Sequence, residues 1–349
     1  MAQVVHGGVT DEELEQAHAR NCELVDLSAS LNPYGPHPEV VAAASAANVH
    51  RYPEADAHTL RRRYAEAAGL EPAQVLAGNG STELLYLVAR ALAVPDATAL
   101  VVGPAFGEYL AASEAAGLNV IESRSKAPSF AVDLEDLVAC VGNSKPRLVF
   151  LCNPNNPTGT LLGREEVSRV HEAVGGQGGI LVVDEAYMDF AWPADEATRP
   201  QPGLAIVRSL TKLHSIPGLR LGFLLADTDL IEAAERQQPS WSVSAPATAA
   251  GLEALRQGEF ARKSRERVAG TRDRLKARLI AAGLTLGPSA ANFLLIHARD
   301  AVRARAALLE RGWVVRDCTS FGLPGHIRVA IPRDEHADRL AEDLVECLR

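Results

Sequence analysis

Residues 204–226 read "LAIVRSLTKLHSIPGLRLGFLLA". Two strand-sized apolar runs, "LAIVRS" and "LGFLLA", flank a link that carries one lysine, Lys212, and one arginine, Arg220. The link is too short for a helical crossover, so the second run is expected to lie antiparallel to the first. The lysine poses a chemical question, because an ammonium is costly to remove from water and normally decorates a solvated face.

Outward from this stretch, short β-rich runs alternate with helical ones between roughly 75 and 226: "VLAG", "ALVVG", "VIES", "RLVFLC", "ILVVDEA", and the two just quoted. Several are apolar at every position, which requires burial on both sheet faces. The fold class is therefore α/β, with a mainly parallel seven-stranded sheet covered by helices on both faces. After about 235 the pattern changes to a long charged helical stretch (about 246–281), then "NFLLIHA", a helix over about 300–311, "GWVVRD", "HIRVAI" and a C-terminal helix. The expected organisation is an N-terminal arm and segment over 1–45, a large ligand-binding domain over 46–235 and a small α+β domain over 236–349, which the N-terminal segment completes. Thr10 and Glu13 form a capping box for a helix over about 11–20.

Composition narrows the function classes. A chain of 349 residues with 47% hydrophobic and 23% charged residues is that of an ordinary globular protein. Its apolar runs are far too short to cross a bilayer, and "MAQVVHGG" lacks the basic and apolar regions of a signal peptide. The five cysteines, Cys22, Cys140, Cys152, Cys318 and Cys347, are scattered without metal-ligand spacing, which points to reduced thiols, no metal and a cytoplasmic location. A net charge of −9 argues against a nucleic-acid partner but leaves room for a small anion held by local arginines.

In doubly wound sheets, ligands bind beyond the carboxyl ends of the strands, so the polar residues there carry the chemistry. "GNGST" (Gly78–Thr82) sits between a strand and an amphipathic helix, where glycines admit a ligand and free N–H groups face it; plain N-capping by Ser81 or Thr82 is the simpler reading. "NPNNPTG" ends another strand with Asn153, Asn155 and Asn156 in a rigid turn, either as turn chemistry or to aim an amide. Asp184 and Glu185 follow four apolar residues, and such carboxylates need a cationic partner to stay ionised. Lys212 then supplies an amine able to form an imine. Taken together, phosphate, hydroxyl, cation and aldehyde chemistry describe pyridoxal 5′-phosphate.

With these motifs the chain resembles fold-type-I pyridoxal-phosphate enzymes of the aspartate aminotransferase superfamily over nearly its whole length. The resemblance implies that Lys212 in "SLTK" is the Schiff-base lysine, with Thr211 beside it, and that Asp184 pairs with the ring nitrogen. Tyr187 and Asn156 meet the phenolic oxygen. Gly80, Ser81 and Thr82, with Ser209 and Arg220, hold the phosphate, and Phe106 in "GPAFGEY" stacks on the ring. Tyr52 in "RYP" reaches the cofactor of a neighbouring subunit, which implies a homodimer with shared sites. Arg328 in "HIRVAI" clamps the substrate carboxylate.

Within the superfamily, "DLSASLNPYGPHPEV", "HRYPEADAHTLRRRYAE" and "GWVVRDCTSFGLPGHIRVAI" resemble both histidinol-phosphate aminotransferases and threonine-phosphate decarboxylases of cobalamin synthesis. Both act on a small phosphorylated substrate, and Arg316 matches the phosphate-side arginine, with His6 and Asn32 near it. Three features favour the decarboxylase: "HGG" (His6, Gly7, Gly8) in the arm, "LSASLNPYGP", and "PSWSVSAPA". The decarboxylase pattern departs at Ser244, where it has asparagine, and at Leu31, where it has isoleucine. The expected reaction is decarboxylation of threonine phosphate to aminopropanol phosphate. Histidinol-phosphate transamination is the alternative, decarboxylation of serine phosphate another, and a non-catalytic sensor domain the remotest.

Overall fold

The structure, a computed structural model, describes residues 4–19, 23–191 and 197–348; Cys22 lies outside them. The strands among the described residues are β1 (Val25–Asp26), β2 (Val75–Asn79), β3 (Thr98–Gly103), β4 (Asn119–Arg124), β5 (Leu148–Cys152), β6 (Ile180–Asp184), β7 (Leu204–Ser209), β8 (Leu221–Leu225), β9 (Phe293–His297), β10 (Trp313–Val314), β11 (Arg316–Asp317) and β12 (His326–Ala330).

Seven strands form the central sheet in the order β2-β8-β7-β6-β5-β3-β4. All run parallel except β8, which is antiparallel to both β2 and β7, as the short link predicts. The apolar runs are continuous because each strand feeds two cores. In β5, Leu148, Phe150 and Cys152 pack beneath helices Gly80–Leu92, Glu108–Ala115 and Thr228–Glu235, while Val149 and Leu151 pack beneath helices Leu134–Ser144 and Arg164–Gly175.

Reversal of β8 has a geometric consequence. The carboxyl ends of β2, β5, β6 and β7 lie along one edge of the sheet, and because β8 runs the other way, its first residue and the preceding Arg220 lie on that same edge. Gly222 is in register with Gly78 on one side and Ser209 on the other.

A second, antiparallel sheet has the order β11-β12-β9, and β1 pairs in parallel with β10. The N-terminal segment is thus joined to the C-terminal third of the chain: Leu27 N–H donates to Val314 O at 2.8 Å, and Ala330 N–H donates to Leu27 O at 2.8 Å. Two expectations need correcting here. The stretch 246–281 is two helices, Ala245–Ala254 and Gly258–Ala281, parted at 255–257. "GWVVRD" is not one strand but β10 and β11, which serve different sheets. No described helix is long and apolar enough to cross a membrane.

Candidate active site

The strand ends and the second sheet enclose a cavity of about 410 Å³. It brings together Lys212, Thr211, Asp184, Tyr187, Asn156, Ser81, Thr82, Phe106, Arg220, Arg316, Arg328, His6 and Gly7.

Lys212 stands in the one-turn helix Leu210–Leu213, which opens on Ser209. The Ser209 hydroxyl accepts from Thr211 N–H at 3.3 Å and lies 2.7 Å from Thr211 Oγ1. Lys212 is half-buried rather than buried, and its Nζ lies 5.7 Å from the centroid of the Tyr187 ring. No carboxylate among the described residues pairs with it within 4.0 Å, which leaves the amine directed at the cavity.

Asp184 ends β6 and is buried. Its Oδ2 accepts from Tyr109 O–H at 2.8 Å and its Oδ1 from Ala186 N–H at 3.0 Å. Burial pushes its pKa up, against the opposing effects of those two hydrogen bonds and of the Lys212 charge. A further cation brought against it would hold the carboxylate ionised. Neighbouring Glu185 has its cation already, in Arg208 at 2.6 Å.

Helix Gly80–Leu92 begins at the same edge with no side-chain cap on its first N–H groups. Gly80 has φ of 78°, and a Cβ there would stand 2.5 Å from Arg220 Nη2. A Cβ on Gly222 would stand 2.5 Å from Ser81 N. Two glycines therefore bring a bare helix N-terminus, two hydroxyls and a guanidinium within reach of one anion.

Another part of the lining is cationic. Arg316 and Arg328 face each other in register on β11 and β12, and both are buried. Arg328 donates to Asn156 Oδ1 and, at 2.5 Å, to Ser28 O, while its Nε has no partner. Arg316 donates to Val5 O at 2.7 Å, His6 O at 3.0 Å and Ser320 Oγ at 2.7 Å. Its pKa is lowered, first by burial and then by Arg328. Neither guanidinium has a carboxylate within 4.0 Å among the described residues. Like charges directly opposite on a sheet are unfavourable unless an anion comes between them.

The arm closes the cavity from above. His6 Nε2 lies 3.1 Å from Glu108 Oε1, and the Tyr86 hydroxyl donates to Glu108 Oε2 at 2.9 Å. Gly8 N–H donates to Ser28 Oγ at 2.7 Å, and a Cβ on Gly7 would stand 2.5 Å from Ser28 O.

Some expected residues stand outside the lining. Gly80 and Ser209 lie directly behind it, and Gly8 is joined to it through Ser28. Asn32 does not line this cavity: its Nδ2 donates to Leu213 O at 2.7 Å and its N–H to Lys212 O at 3.0 Å, so it braces the lysine turn. Tyr52 is 82% exposed and packs 4.8 Å from the Trp241 ring, away from its own cavity. Tyr109, Glu108, Cys152, Ser28 and Phe321 also line the cavity, although no motif in the sequence marks them as site residues; the first two lie inside "GPAFGEY", beside Phe106.

These residues fit pyridoxal 5′-phosphate: a capless helix end with Arg220 for its phosphate, a buried carboxylate short of a cation, and an unpaired lysine amine. The sequence pattern of aminotransferase class I and II matches residues 23–344. The histidinol-phosphate aminotransferase of Symbiobacterium thermophilum is 36% identical over 93% of this chain and 91% of its own length. Among solved structures, the histidinol-phosphate aminotransferase of Sinorhizobium meliloti in complex with pyridoxal-5′-phosphate superposes with a TM-score of 0.85 at 26% identity, covering 98% of this chain and 95% of that one. The L-threonine-O-3-phosphate decarboxylase of Porphyromonas gingivalis superposes with a TM-score of 0.78 at 25% identity, covering 92% and 98%. The chain belongs to the aminotransferase class I and II family, and is a fold-type-I pyridoxal-phosphate enzyme.

Proposed function

We propose that the protein is an aminotransferase that moves the amino group from histidinol phosphate, or a closely related phosphorylated amine, to a dicarboxylic 2-oxo acid, leaving the ketone of the first and the amino acid of the second. The carrying observation is the pair of buried guanidiniums, without carboxylate partners among the described residues, that line one cavity together with Lys212 and Asp184. Such a wall suits substrates with one or two anionic groups, and the named relatives favour transamination over the decarboxylation expected from the arm motif. Pyridoxal phosphate supplies, when bound, an electron sink for negative charge at the carbon beside the substrate nitrogen.

The chain's own residues do the rest. Ser81, Thr82, Ser209, Thr211 and Arg220, with the backbone of Gly80, would hold the cofactor phosphate, with Asp184 serving the ring nitrogen and Tyr187 and Asn156 the phenolic oxygen. Lys212 would anchor the cofactor and then hold and return the proton of the substrate carbon. Phe106 would cover the ring. Arg328 would take the α-carboxylate of the dicarboxylic partner, and Arg316 that partner's distal carboxylate or the phosphate of histidinol phosphate, so that binding remote from the reacting bond sets the pose. The arm, through His6 and Gly7, excludes water. The homodimer reading has support in Tyr52, whose exposed ring is available to a second subunit.

Threonine-phosphate decarboxylation is the second reading, favoured by the placement of His6 and Gly7 on the cavity wall. One experiment separates them: histidinol phosphate with 2-oxoglutarate, following glutamate, against threonine phosphate or serine phosphate alone, following CO₂. Glutamate formation without CO₂ release is the expected result; CO₂ release from threonine phosphate without any need for 2-oxoglutarate overturns it.

A further inference from the structure

Tyr109 is fully buried in helix Glu108–Ala115, stacked on Phe150 with ring centroids 5.2 Å apart and edge-on to Phe106 at 5.8 Å. Its hydroxyl donates to Asp184 Oδ2 at 2.8 Å. Among the described residues, three titratable side chains face Asp184 from the elements around it: Tyr109 from the helix, Cys152 in register on β5, and Lys212 beyond β7. Cys152 directs its thiol to Pro154 O at 3.3 Å and is held neutral, its pKa pushed up to about 12 by burial and by Asp184. Lys212 is committed to the cofactor. Tyr109 is therefore the side chain left to donate a hydrogen bond to this carboxylate.

The structure assigns Tyr109 a positioning role: its phenol fixes the carboxylate that faces the cofactor's ring nitrogen, and it acts on the cofactor only through Asp184. The assignment rests on the reading that Asp184 pairs with that nitrogen. Burial favours the neutral acid, whereas donors to the charged form favour the carboxylate. Burial and the Asp184 charge hold the phenol's own pKa well above its ordinary value, so it donates without ionising. A phenylalanine would keep the packing against Phe150 and Phe106 and remove only the donor.

The test compares wild type, Tyr109→Phe and Asp184→Asn as holoenzymes. Each is reconstituted with pyridoxal phosphate or with an analogue bearing C–H in place of the ring nitrogen. The readouts are the pH midpoint of the bound cofactor's visible absorption change and kcat. With the natural cofactor, Tyr109→Phe is expected to raise the midpoint by about one pH unit, because a less firmly charged ring holds the titrating proton more tightly. It should lower kcat about tenfold. With the analogue, Tyr109→Phe and wild type should agree within about twofold, since no ring nitrogen remains to feel the change. Equal effects with both cofactors, or an unmoved midpoint, would reduce Tyr109 to core packing and overturn the inference. If Asp184→Asn responds to the analogue and Tyr109→Phe does not, only the inference about Tyr109 fails. If Asp184→Asn is itself indifferent, the pairing of Asp184 with the ring nitrogen fails, and the inference falls with it.

Discussion

Replacing Gly222 by alanine tests the phosphate cradle at its tightest point. The added Cβ would lie 2.5 Å from Ser81 N and 2.9 Å from both Gly80 C and Ser81 Cα, all of them backbone. Ordinary contact starts at 3.4 Å, so the start of helix Gly80–Leu92 must retreat by about 0.9 Å. Overpacking of this kind costs about 1–3 kcal/mol of stability. The retreat also removes at least one charge-assisted hydrogen bond from the cofactor phosphate, worth about 1.5–3 kcal/mol, and so weakens cofactor affinity by about 10- to 100-fold. The assay is a titration of apoenzyme with pyridoxal phosphate, followed by absorbance, alongside Tm with and without cofactor. The Tm gain on adding cofactor should shrink in the variant, because ligand stabilisation grows with the logarithm of concentration over Kd. Gly117→Ala is the control for lost stability alone: its φ of 78° strains an alanine, but a Cβ there meets nothing within 4 Å, so stability should fall and affinity should not. A Gly222→Ala enzyme that binds the cofactor like wild type, whatever its Tm, would refute the cradle.

Three further outcomes are expected. Arg328→Lys should cut kcat/KM about 100-fold with little change in Tm, because an ammonium cannot reproduce a bidentate fork; near-normal kinetics would remove Arg328 from substrate binding. Arg316→Gln, unable to span the Val5 and His6 carbonyls, should loosen the arm, read as lost hydrogen-exchange protection at the Gly8 amide that now donates to Ser28 Oγ. Unchanged protection would show the arm to be held elsewhere. Asp334 has its pKa lowered to about 2, chiefly by the Thr271 hydroxyl, then by Arg274 and Arg267. Its contribution is therefore present above its ordinary pKa of 3.8 and lost as pH falls through about 2. At 40% side-chain exposure solvent screening limits it to about 0.5–1 kcal/mol, so Asp334→Asn should destabilise at pH 7 and converge on wild type only as pH falls below about 2 in a denaturation series.

Much of the fold is written locally in the chain. "LVFLC" and "ILVV" can only be strands covered on both faces, and the short link after Ser209 dictates the reversal of β8. The break at 255–257 is less legible, because Leu255, Arg256 and Gln257 are good helix formers and the chain turns there without a proline. Site residues on strand ends could be recognised because each ends an apolar run with a polar group. Tyr109 could not, since an aromatic residue on an amphipathic helix reads as core, and only the fold brings its hydroxyl to Asp184. Asn32 looked like a ligand-facing amide and is instead a brace. The hold of the arm on Arg316 joins residues at opposite ends of the sequence, a pairing that no local pattern specifies.

The pairing of β1 with β10 has a consequence for the order in which the protein is made. A ribosome releases residues 75–225, enough for the whole central sheet with the phosphate cradle, Asp184 and Lys212, well before residues 313–330 exist. Residues 25–27 must wait unpartnered through that interval, because their hydrogen-bonding mates are Gly312, Val314 and Ala330. Since nascent chains fold from the N-terminal side as units become available, the half of the cavity that holds the cofactor can assemble first. The half that selects the substrate closes only when the last strand has emerged.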